Sequence, residues 1–147
     1  MTSHMRNTML AIGAALMLST SVATADEWNH ETILTINQPM VVPGATLAPG
    51  TYIFKLADEN GSRTVVNIFR QSDRELMGTA QTIRMHRSEN TGDLTLKVAL
   101  AENGAVPTMK GWFYPGLTDG HEFIYPKAQA RVIARAETVD IAVAPRG

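Results

Sequence analysis

The chain has 147 residues, no cysteine, 18% charged residues and a formal net charge of −1. That length fits one domain that can bury a core without covalent staples. The missing cysteines exclude disulfides, thiolate metal sites, a cysteine nucleophile and a lipoprotein anchor, and the near-neutral balance argues against a nucleic-acid partner, which demands a basic face.

The N-terminus has the form of an export leader. Arg6 is a short positive region, Met9 to Leu18 is an apolar run, and Ala23-Thr24-Ala25 has the small-x-small pattern of a signal-peptidase site. The apolar run is about half the length of a bilayer-spanning helix, so cleavage after Ala25 is expected rather than retention as an anchor. Met1 to His4 adds nothing to this pattern. The expected organisation is a signal peptide over 1–25 and one mature domain over 26–147. The mature chain keeps 12 of the 13 basic residues and all 14 acidic ones, a formal charge of −2. It contains no later apolar run of membrane-spanning length, so a periplasmic or secreted location is expected.

Behind the leader the chain alternates short β-type runs with turn signals about every ten residues, the pattern of a sandwich or barrel. Thr32 to Ile36 is the first expected strand, stopped by Pro39, and Met40 to Val42 is the second. Pro43-Gly44 and Pro49-Gly50 then punctuate the chain. In Thr51 to Leu56 the residues Tyr52, Phe54 and Leu56 share one face at period two. Asn60-Gly61 predicts a tight hairpin, and this turn also accounts for the formal glycosylation acceptor Asn60-Gly61-Ser62. The return strand is expected over Thr64 to Phe69, followed by a turn at Gln71 to Asp73. Glu75 to Met85 predicts a long strand with a bulge or bend at Gly78.

Ser88 to Asp93 is a polar loop, and Leu94 to Leu100 alternates cleanly enough to define a strand. Asn103-Gly104 turns the chain into Thr108 to Tyr114, Pro115 to Gly120 is a loop, and His121 to Tyr125 is a short strand closed by Pro126. Ala128 to Ala136 fits a short helix, while Val139, Ile141 and Val143 alternate like an edge strand without an obvious local partner. There is no repeat or linker. The expected fold class is all-β: a single-domain antiparallel β-sandwich or barrel-like fold, with a short helix allowed in the C-terminal tail. Tyr52, Phe54, Leu94, Leu96, Val98 and Trp112 are expected to share its core.

The most unusual segment runs from Lys110 to Pro126. Five of the nine aromatics, one histidine, two prolines and several glycines fall within these 17 positions. Glycines beside rings let backbones approach closely, and Trp and Tyr combine flat apolar area with a polar handle. The segment fits either a binding surface for a glycan or extended peptide, or two core-crossing strands whose rings fill the interior. As a binding surface it would use Trp112, Tyr114, Asp119, His121, Glu122 and Tyr125.

The run from Val42-Pro43-Gly44 through Leu47 to Leu56, with Trp112-Phe113-Tyr114-Pro115-Gly116 and Gly120-His121-Glu122-Phe123-Ile124-Tyr125-Pro126-Lys127, resembles an uncharacterised family of small exported bacterial β-rich proteins of acidobacteria-like genomes. The resemblance covers roughly residues 26–127, and its specific part is the pair of aromatic segments. It implies export and a β-rich domain, and it implies no catalytic residue.

His121-Glu122 raises metal or acid–base chemistry, with His30 and His86 as further ligands. The three histidines lack ligand spacing, and neighbours on a strand point to opposite faces, so neither a metal site nor a cofactor is expected. No nucleophile elbow and no phosphate loop is present. A carboxylate pair of Glu122 with Asp119 or Asp93 would need a deep cleft, for which a domain this small has little room. The leading expectation is a non-enzymatic exported module that binds or scaffolds. One alternative is a small hydrolase or metal-dependent enzyme centred on His121 and Glu122. The other is a subunit of an envelope or extracellular assembly, a homo-oligomer included, joined through strand edges with Thr138 to Ala144 as donor.

Overall fold

A computed structural model describes residues 22–26, 31–57 and 64–145. The strands are β1 (Val22–Asp26), β2 (Glu31–Ile36), β3 (Met40–Val42), β4 (Ala45–Leu47), β5 (Gly50–Leu56), β6 (Val65–Arg70), β7 (Leu76–His86), β8 (Leu94–Leu100), β9 (Thr108–Phe113), β10 (Asp119–Phe123) and β11 (Glu137–Pro145), with one helix, α1 (Lys127–Arg135), before β11. The expected all-β class holds. The apolar run Met9 to Leu18, expected as part of a leader, and the expected Asn60-Gly61 turn lie outside the described residues, although β5 and β6 on either side of that turn pair antiparallel as a hairpin would.

Ladder by ladder the sheet runs β10-β7-β6-β5-β2-β1-β11-β8-β9, and β9 pairs back with β10. The described strands therefore form a closed, barrel-like ring, with the β3–β4 hairpin attached to β9 beside β10. Closure removes the open edges that make sheets aggregate. Most ladders are antiparallel, as expected, but β1–β11 and β3–β9 are parallel. These two join segments far apart in sequence, which local alternation cannot reveal.

Side-chain alternation builds the core. In β2, Thr32, Leu34 and Ile36 turn inward while Glu31, Ile33 and Thr35 are half-buried. Tyr52, Phe54, Leu94, Leu96, Val98 and Trp112 are all buried, as the period-two pattern predicts. In β8 the outer face is covered too: Thr95 and Ala99 are buried, and Thr95 Oγ1 accepts a hydrogen bond of 2.9 Å from the Arg87 guanidinium. The β7 bulge falls where Gly78 suggested. Ile68 faces Gly78 while Phe69 faces Leu76, so Met77 is the extra residue. At Asn103-Gly104 both residues sit at positive φ, 61° and 72°.

The tail contains both elements that its sequence allowed. Residues Lys127–Arg135 form α1, whose Ile133 is buried, and Glu137–Pro145 forms β11. The expectation that this strand is an edge is corrected, because β8 lies along one side of it and β1 along the other. From Glu137 to Val143 it pairs antiparallel with β8, from Leu100 back to Leu94. The partner lies about forty residues upstream, beyond the reach of a local pattern.

Leu96 is 1% exposed in the middle of β8, where β9 and β11 hold it from both sides. Replacing it with Ala should cost about 2–5 kcal/mol through lost transfer energy and a residual cavity. Chemical denaturation measures this, and an unchanged midpoint would show that Leu96 does not face the core.

Candidate functional site where β9 meets β10

Strand β10 lies antiparallel to β9, with Gly120 opposite Phe113, His121 opposite Trp112 and Glu122 opposite Gly111. The central pair carries two large rings and is flanked on each strand by a glycine. A Cβ on Gly111 would overlap the His121 carbonyl, and one on Gly120 would overlap the Trp112 carbonyl, both far inside van der Waals contact. The two glycines therefore let the backbones approach, which is why the sequence places glycines among its aromatics.

The rings that this approach brings together are mostly interior. Trp112 stacks obliquely on His121 at 5.2 Å and lies 5.5 Å from both Phe54 and Phe123, while Tyr114 meets His121 edge-on at 5.6 Å. Trp112, Tyr114, His121 and Tyr125 are all buried. Thr82 Oγ1 lies 3.2 Å from His121 Nδ1 and 3.2 Å from the Thr64 carbonyl. The hydroxyl has one proton; donated to Thr64, it leaves Oγ1 to accept from Nδ1–H. Tyr125 lies just past the end of β10, and its hydroxyl donates to the Met109 carbonyl at 2.5 Å. Burial pushes its phenol well above the ordinary tyrosine range, so it stays neutral.

The remaining two residues of the set lie elsewhere. Glu122 faces away from His121, as strand geometry requires, and borders a cavity of about 140 Å³ between the β9–β10 ladder and α1, with Lys110, Tyr125 and Ile133. Asp119 is exposed at the start of β10 and accepts a 3.0 Å hydrogen bond from His86 Nδ1. That bond, helped by the nearby charges of His86 and Arg84, holds the Asp119 carboxyl below its usual range. The six residues thus share one end of the sheet without converging on a point. Among the described residues, no group of three or more His, Asp or Glu could hold one ion.

Two features, one here and one outside this region, have no clear sequence signal. Arg87 donates to the Leu117 carbonyl at 2.9 Å, the Tyr114 carbonyl at 3.3 Å, and the hydroxyls of Thr91 and Thr95, with its guanidinium 4.8 Å above the Phe113 ring. One side chain thereby ties two loops to β8 and covers the outward-facing ring of β9. The larger concavity lies elsewhere: a groove of about 540 Å³ at the Pro49-Gly50 turn, bordered by Thr46, Tyr52, Arg70, Ser72 and Met77. Its Arg70 is engaged by Asp73 at 2.9 Å and Glu75 at 3.0 Å. The Pro-Gly pair marks a turn in the sequence, but only the β6–β7 turn folding beside it makes a groove.

Gly111→Ala and Gly120→Ala should each lower stability by on the order of 3 kcal/mol, because backbone carbonyls must give way and the strands must part. Gly78→Ala is the control: its added methyl would meet the Pro43 carbonyl at an ordinary 3.7 Å. Thermal melts that rank the three alike would contradict the close approach. A second outcome concerns acid. Since Asp119 has a lowered pKa in the folded state, its bond adds stability above the unfolded value of about 3.8 and loses it as pH falls through the folded pKa. Asp119→Asn should therefore lower the melting temperature above about pH 4 and flatten the acid side of its plot against pH, so that the two proteins converge at the acid end.

Comparison with family models, with curated proteins and with solved structures found no match to this chain.

Proposed function

We propose that the chain is an exported, non-enzymatic β-barrel-like module that binds or scaffolds a glycan or peptide partner in the periplasm or outside the cell. The supporting observation is the separation of His121 from Glu122. The imidazole is packed between Trp112 and Tyr114 with Nδ1 beside Thr82, while the carboxylate lies on the opposite face. Acid–base or metal-assisted hydrolysis needs its groups on one substrate, within hydrogen-bond reach of the reacting atoms. At this end of the sheet, contact with a ligand falls to Asp119, Glu122 and the loop backbone, and the rings of Trp112, Tyr114 and Tyr125 act as the rigid bed beneath. The leader pattern and the resemblance to small exported proteins support the location.

Cell fractionation with intact-mass measurement should place the protein outside the cytoplasm with an N-terminus at Asp26. Recovery from the cytoplasm at full length would overturn the export half. The purified protein should turn over no chromogenic ester, phosphate, glycoside or peptide, with or without added zinc or manganese. Turnover lost in both His121→Ala and Glu122→Ala proteins that still fold would establish an enzyme instead.

A further inference from the structure

Strand β1 occupies one place in the ring, between β2 and β11. Against β2 it is antiparallel, with Ala23, Thr24, Ala25 and Asp26 opposite Leu34, Ile33, Thr32 and Glu31. Against β11 it is parallel and meets Ala144 and Pro145. The expected cleavage point after Ala25 falls inside this strand, so four of its five residues would leave with the leader. We propose that in the exported protein the vacated place beside β2 is an acceptor slot for one extended strand donated by another protein. This rests on the export reading above, and specifically on cleavage after Ala25.

The slot's chemistry follows from β2. Without β1, the free edge of Glu31 to Leu34 presents main-chain N–H and C=O groups that an added strand would pair, the usual source of affinity in strand addition. Specificity comes from the face that turns inward. Opposite residues in an antiparallel pair lie on one face, and Thr32 and Leu34 are each only 1% exposed. The native sequence has alanine opposite both, so a guest needs small residues at those two positions, two apart.

The Thr32 position adds a polar preference. Thr32 Oγ1 is buried without a hydrogen-bond partner among the described residues. The alanine opposite it supplies none, whereas a serine or threonine would. The favoured donor therefore has Ala or Gly opposite Leu34 and Ser or Thr two residues later, opposite Thr32. A free segment suits the slot better than a second copy of this chain. A neighbouring copy's edge strand is already bound to its own sheet and can reach β2 or β11 but not both.

The exported protein is purified, its mass is measured, and it is titrated calorimetrically with a synthetic peptide of residues 20–28. The expected mass begins at Asp26, and the peptide binds. An Ala25→Ser peptide should bind roughly two- to tenfold tighter, the value of one added hydrogen bond. An Ala23→Arg peptide, which would force a charge against Leu34, should not bind. In Thr32→Val protein the unmodified peptide should still bind and the serine advantage should vanish. A start at Asp26 with no peptide binding would overturn the slot and leave export standing. A mass that retains Val22 to Asp26 would overturn the cleavage site and the slot together. A stable dimer that excludes the peptide would give the slot to a second copy, and a serine advantage that persists in Thr32→Val would remove Thr32 from recognition.

Discussion

The close approach of β9 and β10 at Gly111 and Gly120 is the constraint on which the rest of the structure depends. Strand β9 pairs with β8 along one edge and is shared along the other by β3 and β10. The β10 contact closes the ring. It exists because two positions lack a Cβ where the neighbouring carbonyls stand. With the backbones that close, Trp112 and His121 face each other inside, and Phe54, Tyr114 and Phe123 pack around them. Rings of this size contribute much of a small core's apolar burial, so closure and core formation are one event.

Once the rings are interior, several of the polar groups nearby are committed to structure, although the Trp112 Nε1–H is buried without a hydrogen-bond partner among the described residues. His121 is paired with Thr82, the Tyr125 hydroxyl with Met109, and Arg87 with the loops that flank Phe113. Each bond satisfies a group that would otherwise be costly to bury. A site for chemistry usually shows the opposite, with titratable groups converging on open space and pKa values shifted toward the operating pH. Here the Tyr125 phenol is pushed away from neutrality by burial and the Asp119 carboxyl is drawn down by an exposed partner. Both shifts follow from packing and pairing.

Closure has a second dependence at the other side of the ring, where β1 bridges β2 and β11. The same five residues contain the pattern expected for leader cleavage. On the proposed export reading, sheet closure and leader processing would act on one segment: a chain that keeps β1 has a continuous ring, and a chain cut after Ala25 would have an edge to cover. In the proposed donor-strand arrangement, the ladder bonds that β1 makes in cis are remade in trans.

By itself the sequence determined the all-β class, most strand positions and the core residues Tyr52, Phe54, Leu94, Leu96, Val98 and Trp112, because strand periodicity and turn chemistry act within about ten residues. It also marked Lys110 to Pro126 as unusual, with both of its explanations open. Only the tertiary structure decided between rings inside and rings outside, since a strand's two faces look alike until other strands cover one of them. Pairing at long range had no local signal either: β11 against β8, the parallel ladders, and Arg87 reaching Leu117 and Thr95. Gly111 and Gly120 were visible as glycines, but their purpose lies in carbonyls of the neighbouring strand, which a linear pattern does not place beside them.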